Sequence, residues 1–238
     1  MVVYLDLLSQ PCRAVYILLT CTKIPHKVHA VALRKGEHRT PEFTNMNLMQ
    51  KVPVLVDSGF ILTESDAILK YLATQYDVPE HWYPRQPQQR ARVDEYTAWH
   101  HTNTRAHAAK VFILEVLLPR HMGSAVDKVA LNNALSNLKN TLDKLETMFL
   151  RRQPFLCGDD ITVADLLAIC ELMQPLGAGR DILKDHPQLQ RWRSRVQSAV
   201  GKSFDEAHHQ LILQPPVSQW CWASKVTVDY LYGLGSTH

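Results

Sequence analysis

The spacing of the hydrophobic residues changes once along this chain of 238 residues. Near the N-terminus, Val3, Leu5 and Leu7 recur at every second position, as in a β-strand with one buried face. Further along, apolar side chains recur after four, three, four, three and four residues, which is the spacing of an amphipathic helix: Leu131, Leu135, Leu138, Leu142, Leu145 and Phe149. The change predicts an α+β protein in which a sheet-containing part is followed by an all-helical part.

The first part alternates short strand-like runs with helical ones. Pro11 suits the first turn of a helix that follows the first strand, and residues 28–33 form a second strand-like run. Residues 51–62 predict a hairpin with a glycine-containing turn. Ser65 is predicted to cap the last helix of this part. The expected order is β-α-β, a short helix, and then β-β-α, which gives a small mixed sheet covered by helices.

A proline-rich segment separates the two parts. It contains three prolines and two neighbouring aromatic residues, a composition typical of a packed linker. In the helical part, residues 162–165 (Thr-Val-Ala-Asp) match a capping box and predict the start of a helix. The sequence therefore predicts three regions: a sheet domain at 1–76, a linker at 77–87, and an all-α domain at 88–238 that ends in a C-terminal extension.

Charge and cysteine content narrow the classes of partner. The formal net charge is only +3, which argues against a nucleic acid as partner. Five widely spaced cysteines without a CxxC pair predict no disulfide framework and favour a reducing compartment. The N-terminus lacks the basic and apolar regions of a signal peptide, and no apolar run approaches the roughly 18 residues that span a bilayer. We therefore expect a cytoplasmic protein without a membrane partner.

Ser9 lies where the first predicted strand meets the first predicted helix. Its hydroxyl would sit at the mouth of that helix, where unpaired backbone N–H groups and the helix dipole favour negative charge. A hydroxyl there can donate a hydrogen bond to an anion such as a thiolate. The alternative is a plain N-cap, the commoner role of a serine before a helix. No Gly-x-Ser-x-Gly elbow surrounds Ser9, which argues against a hydrolase nucleophile.

Two further motifs could hold the backbone and one end of a short peptide. If Pro53 is cis, the backbone N–H and C=O groups of Val52 can pair with an extended peptide. The alternative is a trans proline that only begins a strand. Glu64 could take an ammonium group, while Ser65 and the N–H groups of its helix hold a carboxylate. Here the alternative is an ordinary capping pair.

Lys51 and His38 could supply cationic or donor groups for a second carboxylate, although each side chain alone is more often a solvated surface residue. Taken together, these motifs predict a site for a short peptide with an amino-acid head, an extended middle and a second carboxylate. Glutathione has this structure, because its γ-glutamyl group is the amino-acid head and its glycyl end carries the second carboxylate.

Several segments resemble the sequences of theta-class glutathione transferases. The opening YLDLLSQPCRAVY at residues 4–16 and KVPVL at 51–55 carry much of the resemblance. Further matching segments lie at residues 62–72, 81–84, 91–96, 161–166 and 171–179. The resemblance runs from about residue 2 to about residue 213, nearly the whole chain. It implies a thioredoxin-like N-terminal domain, an all-α C-terminal domain, and a homodimer with the active site near the subunit interface.

The resemblance also implies a role for each candidate residue. Ser9 would hydrogen-bond the sulfur of glutathione, and Gln10 would be a further glutathione contact. Val52, next to the cis-proline Pro53, would pair with the cysteinyl backbone. The two ends of glutathione would be held by four side chains: His38 and Lys51 at the glycyl carboxylate, and Glu64 and Ser65 at the γ-glutamyl group.

Arg105 matches a helix arginine that lies near the sulfur and the electrophile pocket in this class, although it could instead pair with a helix acid. Thr104 and Ala108 would border the same pocket. Some relatives carry an acidic residue at the position of Thr102, where it reaches toward the partner subunit's glutathione, so this departure puts such a contact in doubt. The tail, with Trp220 and neighbouring aromatic residues, would either cover the pocket or pack against the helical domain.

The implied reaction is attack by the glutathione thiolate on a hydrophobic electrophile, as in detoxification. The expected electrophiles are alkyl or aralkyl halides, with glutathione peroxidase activity as a further possibility. Glutathione would be a co-substrate, and no cofactor is expected. No metal is expected either, because neighbours such as His100 and His101 would face different sides of a helix.

Two alternatives stay open on the sequence alone. Cys12 stands in the first helical turn, where a thiolate is stabilised, and could make the protein a glutathione-dependent thioltransferase. Against this, a lone cysteine inside a helix is usually a small buried hydrophobic residue. The other alternative is a non-catalytic module that uses the same fold only for binding or assembly.

Overall fold

The computed structural model of the chain describes residues 1–212, without side-chain detail at Arg120, His121 and Ile212. The C-terminal extension predicted from the aromatic tail lies outside the described residues. Within them, a four-stranded sheet and its helices come first and a series of helices follows. The α+β class is confirmed, with a thioredoxin-like N-terminal domain before an all-α domain.

The sheet is mixed and has the strand order β2-β1-β3-β4. β1 is parallel to β2 and antiparallel to β3, and β3 and β4 form the predicted hairpin. Val3 and Leu5 of β1 are buried while their neighbours are half-buried, which is the period-two pattern of the sequence. The strands are β1 (Val2–Leu5), β2 (Lys27–Ala30), β3 (Val54–Asp57) and β4 (Phe60–Thr63).

Two sequence expectations for this domain are wrong in detail. The second strand ends at Ala30, because the Leu33 N–H donates to the Asp6 carboxylate (3.1 Å) and the chain enters a 3-10 turn there. Leu7 lies in a turn after β1 and not in the strand. The helices are α1 (Gln10–Cys21), α2 (Pro41–Met46) and α3 (Ser65–Gln75), with 3-10 turns at Leu33–Lys35, Glu37–Arg39 and Glu80–Trp82.

The helical domain begins with a long rod in which α-helical and π-helical turns alternate. Its helices are α4 (Pro87–His100), α5 (Ala106–Phe112) and α6 (Leu118–Met122), joined by π-helical segments at His101–Arg105 and Ile113–Leu117. The remaining helices are α7 (Lys128–Lys144), α8 (Val163–Gly177), α9 (Pro187–Val200) and α10 (Lys202–Ile212). A third π-helical segment, Leu145–Phe149, extends α7.

The leucine stripe that predicted α7 faces the core. Leu131, Leu138 and Leu142 are buried, and the stripe continues through Leu145 and Phe149 in the π-helical extension. The apolar side chains therefore stay buried although the helix type changes. The predicted amphipathic helix is confirmed.

α8 is the central helix of the molecule. Every residue from Val163 to Pro175 is buried, so this helix has no solvent-facing side over that stretch. α1 packs most extensively against α8, and a single hydrophobic cluster extends from Val3 in the sheet to Leu211 in α10. The two domains therefore share one continuous core. Among residues 1–212, no helix has the length and apolar character needed to cross a membrane.

The predicted capping box starts α8. The Thr162 hydroxyl accepts the Ala164 N–H (3.2 Å), and the Asp165 carboxylate accepts the Thr162 N–H (2.9 Å). The same fully buried carboxylate also accepts the Leu156 N–H (2.9 Å) and the Trp192 ring N–H (2.8 Å). Asp165 thus joins α8 both to the preceding loop and to α9.

Substituting Asp165→Ala should strongly destabilise the fold. It would leave three buried N–H donors without their acceptor, at a cost of about 1–3 kcal/mol each, so the free energy of unfolding should fall by about 3 kcal/mol or more. Urea unfolding at fixed protein concentration measures the change. Asp205→Ala is the matched control, because Asp205 is exposed and should change stability by about 0.5 kcal/mol at most. Equal stabilities for the two variants would contradict the prediction.

Candidate active site

Ser9 is the N-cap residue of α1, but its side chain does not cap the helix. The backbone N–H of Ser9 donates to the Asp6 carbonyl (2.9 Å), and Pro11 in the first turn has no N–H to satisfy. The Ser9 hydroxyl forms no hydrogen bond with a backbone N–H of the helix. The plain N-cap alternative therefore does not describe this half-buried residue, whose side chain instead hydrogen-bonds the Cys12 thiol at the helix N-terminus.

The loop that carries Ser9 is held by the buried guanidinium of Arg13. Nη1 of Arg13 donates to the carbonyls of Leu7 (2.9 Å) and Leu8 (3.1 Å), the two residues before Ser9. Nη2 donates to the Cys170 carbonyl (3.0 Å) and to Oε1 of Gln174 (2.6 Å), both in α8. The position of Ser9 is thus fixed against the helical domain as well as against its own strand.

A polar cleft of about 260 Å³ opens beside the first turn of α1. It is bordered by Pro11 from that turn and by residues from the sheet domain and from the long helical rod. The peptide bond before Pro53 is cis. Six of the predicted site residues line the cleft together: Lys51, Val52, Pro53, Glu64, Ser65 and Arg105.

The expectation that Ser65 caps α3 is wrong, because the helix begins one residue earlier than that role requires. Ser65 is the first residue of α3, and Glu64 occupies the N-cap position without a side-chain capping bond. Glu64 has a backbone φ of +67°, a conformation that costs a non-glycine residue about 1–3 kcal/mol and is found mainly at functional sites. The strained backbone leaves the Glu64 carboxylate exposed at the cleft and the Ser65 side chain buried beside it.

Lys51 stands on a loop that Asn47 holds in shape. The Asn47 side chain donates to the Lys51 carbonyl (2.8 Å) and accepts the Met49 N–H (3.0 Å). Asn47 and Thr63 also line the cleft. Sequence reasoning missed both residues, although each stands within four positions of a predicted site residue.

Arg105 is both a cleft residue and one partner of a helix ion pair. It lies at the end of the first π-helical segment, and its Nη1 donates to Oε1 of Glu171 in α8 (2.5 Å). The Arg105 side chain is 37% exposed, whereas that of Glu171 is only 2% exposed. The alternative that Arg105 pairs with a helix acid is therefore confirmed as a contact, and the same side chain still borders the cleft.

His100 and His101 both border the cleft, yet His100 is buried whereas His101 is exposed, so their side chains have the different surroundings that the sequence predicted. Their ring centroids are 5.6 Å apart, and the wider π-helical turns begin at His101. Nδ1 of His100 lies 3.2 Å from the hydroxyl of Tyr96, which is 3.1 Å from the Thr104 hydroxyl. Burial lowers the pKa of His100 well below its usual value, so this ring is neutral at neutral pH.

Four other predicted site residues are buried and do not border the cleft. Gln10 is 4% exposed and His38 is 1% exposed; within residues 1–212, the Gln10 amide nitrogen and both His38 ring nitrogens have no hydrogen-bond partner. Burial lowers the pKa of His38, which favours its neutral form. Thr104 and Ala108 are fully buried in the long helical rod. The roles suggested for these four residues stay predictions.

The geometry disfavours a nucleophilic role for Cys12. Its side chain has no exposed surface, and burial raises the pKa of the thiol to about 12. A hydrogen bond from the neighbouring Ser9 side chain lowers this pKa by less than burial raises it. Because the thiolate is the reactive form, Cys12 is a poor nucleophile near neutral pH, and the thioltransferase alternative loses its main support.

The chain resembles glutathione S-transferases in sequence and in structure. Family models of the glutathione S-transferase N-terminal and C-terminal domains match residues 4–81 and 106–199. Glutathione S-transferase theta-1 of Bos taurus is 48% identical over 216 residues, covering 91% of this chain and 90% of the relative.

Solved structures of human proteins are also similar. Glutathione S-transferase T1-1 in its apo form superposes with a TM-score of 0.89 at 43% identity, covering 98% of this chain and 97% of that one. A human theta-class transferase in complex with the glutathione conjugate of 1-menaphthyl sulfate superposes with a TM-score of 0.85 at 41% identity, covering 89% of this chain and 86% of that one.

The Cys12 thiol should resist alkylation in the native protein. Its pKa of about 12 leaves only about one thiol in 10,000 ionised at pH 8, and the side chain is inaccessible. Iodoacetamide labelling at pH 8 followed by peptide mass spectrometry should find Cys12 unmodified. The same treatment in guanidinium chloride should label it fully, which controls for detection. Native-state labelling of Cys12 with matching loss of activity would restore the thioltransferase alternative.

Proposed function

The chain belongs to the theta class of the glutathione S-transferases, and we propose that its polar cleft binds glutathione while Ser9 stabilises the glutathione thiolate. Membership of the class makes the protein an enzyme of the glutathione transferase type. The observation that carries the proposal is the placement of Ser9. Its hydroxyl does not cap α1. Ser9 itself does not line the cleft, but Pro11, two residues further along the chain, lines it together with six candidate residues.

The charges around the cleft suit the two ends of glutathione. Glu64 is exposed and has no ion-pair partner among the side chains of the described residues, so it is available to the ammonium of the γ-glutamyl group. Ser65 and the first N–H groups of α3 would hold the neighbouring carboxylate. Lys51 would meet the glycyl carboxylate at the other end.

The middle of glutathione would lie along the cleft between these ends. We propose that the backbone of Val52, beside Pro53, pairs with the cysteinyl residue as an added strand would. This placement turns the cysteinyl sulfur toward the first turn of α1. Gln10, whose amide nitrogen has no partner in the described part of the chain, would be a further contact. Glutathione is then a co-substrate, and the proposed chemistry requires no cofactor or metal.

Activation of the thiol follows from hydrogen bonding and local charge. A free thiol has a pKa near 8.5, so only a few per cent is ionised at neutral pH. A hydrogen bond to a charged group contributes about 1.5–3 kcal/mol, which corresponds to about one to two pKa units. The Ser9 hydroxyl would supply this bond, and the N-terminus of α1 and the Arg105 guanidinium would stabilise the negative charge further.

We propose alkyl and aralkyl halides as electrophiles. The thiol proton passes to solvent, the sulfur forms a bond to carbon, and the carbon–halogen bond breaks so that halide leaves. The similar human theta-class structure, which holds the glutathione conjugate of 1-menaphthyl sulfate, supports an aralkyl substrate. The electrophile pocket would include Arg105, Thr104 and Ala108, and binding both reactants side by side supplies the proximity contribution to catalysis.

The same thiolate would also reduce organic hydroperoxides. Its attack on the peroxide oxygen would release an alcohol and form glutathione sulfenic acid. A second glutathione thiol would convert this to glutathione disulfide and water. We therefore propose glutathione peroxidase activity beside conjugation, and a role in detoxification in the cytoplasm.

A homodimer is part of the proposal. The β3–β4 hairpin, which leads directly into Glu64, carries the half-exposed side chains of Phe60 and Ile61. Met49, next to the Lys51 loop, is similarly exposed. Exposed apolar side chains on segments that lead into a site are a feature of protein interfaces, which supports a dimer contact close to the cleft.

Ser9→Ala should reduce conjugation without abolishing glutathione binding. Loss of one charge-assisted hydrogen bond should raise the pKa of the bound thiol by about one to two units and lower kcat near pH 7 by about 10- to 100-fold. Initial rates with alkyl and aralkyl halides and with cumene hydroperoxide measure turnover, and Cys12→Ala is the control that should stay close to native. A native rate for Ser9→Ala, or a dead Cys12→Ala alone, contradicts the mechanism. Absence of turnover with any substrate favours the binding module.

Glu64→Gln should weaken glutathione binding and leave the chemical step intact. The change removes the charge that meets the ammonium group but keeps the shape of the side chain. The Kd for glutathione should rise by about tenfold or more, as expected for loss of a charge-assisted hydrogen bond, with kcat nearly unchanged. Glu42→Gln, an exposed acid on α2, is the control for general charge effects. An unchanged Kd for Glu64→Gln would show that Glu64 does not hold glutathione.

A further inference from the structure

A buried acid lies directly behind a cationic residue of the cleft. Arg105 borders the cleft at the end of the first π-helical segment, and its guanidinium contacts Oε1 of Glu171 at 2.5 Å. Glu171 belongs to the stretch of α8 that is buried on all sides, and its side chain is 2% exposed. The carboxylate is thus separated from the cleft, and it contacts the guanidinium directly.

A buried carboxylate at the position of Glu171 is unfavourable for the stability of the fold. A buried carboxylate is favourable only when it is paired and all of its oxygens have partners. Oε2 of Glu171 has no hydrogen-bond partner among the described residues, so the pairing is incomplete. Burial raises the pKa of Glu171, and the charge of Arg105 opposes this effect. An apolar residue would pack here at lower cost, which points to a role other than stability.

The same turn of α8 also holds the loop that carries Ser9. Gln174 and the Cys170 carbonyl accept hydrogen bonds from Arg13, which in turn holds the loop carbonyls just before Ser9. Glu171 stands between these two α8 residues in the sequence. Residues 170–174 thus fix both groups that we have placed near the glutathione sulfur, one through Arg13 and the other through Glu171.

We propose that Glu171 is a positioning residue that holds the Arg105 guanidinium against the cleft, beside the sulfur of bound glutathione. The inference rests on the proposed function, because it takes Arg105 as a cation that stabilises the thiolate. It goes further by assigning a part in the reaction to a buried residue that contacts no substrate.

Glu171 has two opposing effects on the thiolate, and its effect through the position of Arg105 is larger than the effect of its own charge. Its negative charge disfavours a nearby thiolate, whereas its contact with Arg105 keeps a positive charge close. Coulomb interactions weaken with distance, and Glu171 lies beneath Arg105, farther from the cleft. Releasing the guanidinium therefore changes the energy of the thiolate more than removing the deeper carboxylate does.

The test compares Glu171→Gln and Glu171→Asp with native protein. Gln replaces the charge-assisted contact by a weaker one, and Asp keeps the charge but withdraws it by about one carbon–carbon bond, roughly 1.5 Å. We expect the pKa of bound glutathione, followed by the ultraviolet absorbance of the thiolate, to rise in both variants. For Glu171→Gln we expect a rise of about one unit, with about tenfold lower kcat/KM near pH 7. A thiolate pKa that falls in Glu171→Gln and is native in Glu171→Asp would show that charge alone matters, and would overturn the proposal.

Glu115→Gln is the matched control for a loss of stability. Glu115 pairs with Arg180, and this ion pair joins the long helical rod to the loop that follows α8, away from the cleft. The Glu115→Gln substitution should lower the urea concentration at the unfolding midpoint without changing the thiolate pKa or kcat/KM. If Glu115→Gln shifts the thiolate pKa as much as Glu171→Gln does, the effect comes from general loosening of the helices and the proposal fails.

Arg105→Gln separates this inference from the proposed function. If Glu171 acts through Arg105, then Arg105→Gln lowers kcat/KM, and adding Glu171→Gln to it causes little further loss. If Glu171→Gln still lowers kcat/KM tenfold in the Arg105→Gln variant, the positioning role is overturned. A native rate for Arg105→Gln would show that Arg105 does not stabilise the thiolate, which is the premise of the inference. Ser9→Ala would still test thiol activation separately. Native behaviour of both Glu171 variants, with Arg105→Gln impaired, refutes the positioning role and leaves the function of Arg105 intact.

Discussion

The buried guanidinium of Arg13 joins the loop that carries Ser9 to α8, the helix whose Glu171 contacts Arg105. It donates to two carbonyls of the Ser9 loop and to two acceptors on α8. A buried cation is costly unless its donors are satisfied, and no apolar residue could replace these four directed bonds. These bonds therefore connect the loop and α1 directly to α8. Without this contact, the distance between Ser9 and the helical side of the cleft would depend on apolar packing alone, which has little directional preference.

The other polar side chains of α8 are paired with neighbouring elements in the same way. A helix that is buried on all sides can carry a polar side chain only where another element supplies a partner. Asp165 is paired with backbone N–H groups and the indole of Trp192, Gln174 with Arg13, and Glu171 with Arg105. Each of these pairs connects α8 to a different element. The polar residues of this core helix thus specify which elements meet, while the apolar residues supply most of the burial.

Local patterns in the sequence predicted much of the fold, because each required only one short-range rule. The leucine spacing located α7, the capping box located the start of α8, and the Ser9 turn located the first helix. The failures involve tertiary contacts or unusual backbone. The Leu33 turn depends on a carboxylate 27 residues away, and the positive φ of Glu64 displaced the cap that Ser65 was expected to form. The domain boundaries and the roles of the site residues stay predictions.

The π-helical segment at His101–Arg105 shows why the helical side of the cleft was harder to predict than the sheet side. No short-range rule in the sequence predicts this segment, and His100 and His101 at its start border the cleft although neither was a predicted site residue. On the sheet side, a strand end and two helix N-termini fix the candidate residues by local rules. There, burial distinguishes the N-cap residue of α1 from a residue in its first turn: Cys12 is enclosed, with a pKa of about 12, while Ser9 is only partly buried. Burial keeps the Cys12 thiol protonated, whereas Ser9 provides a hydroxyl at the same helix N-terminus. This arrangement suits the proposed ionisation of the glutathione thiol.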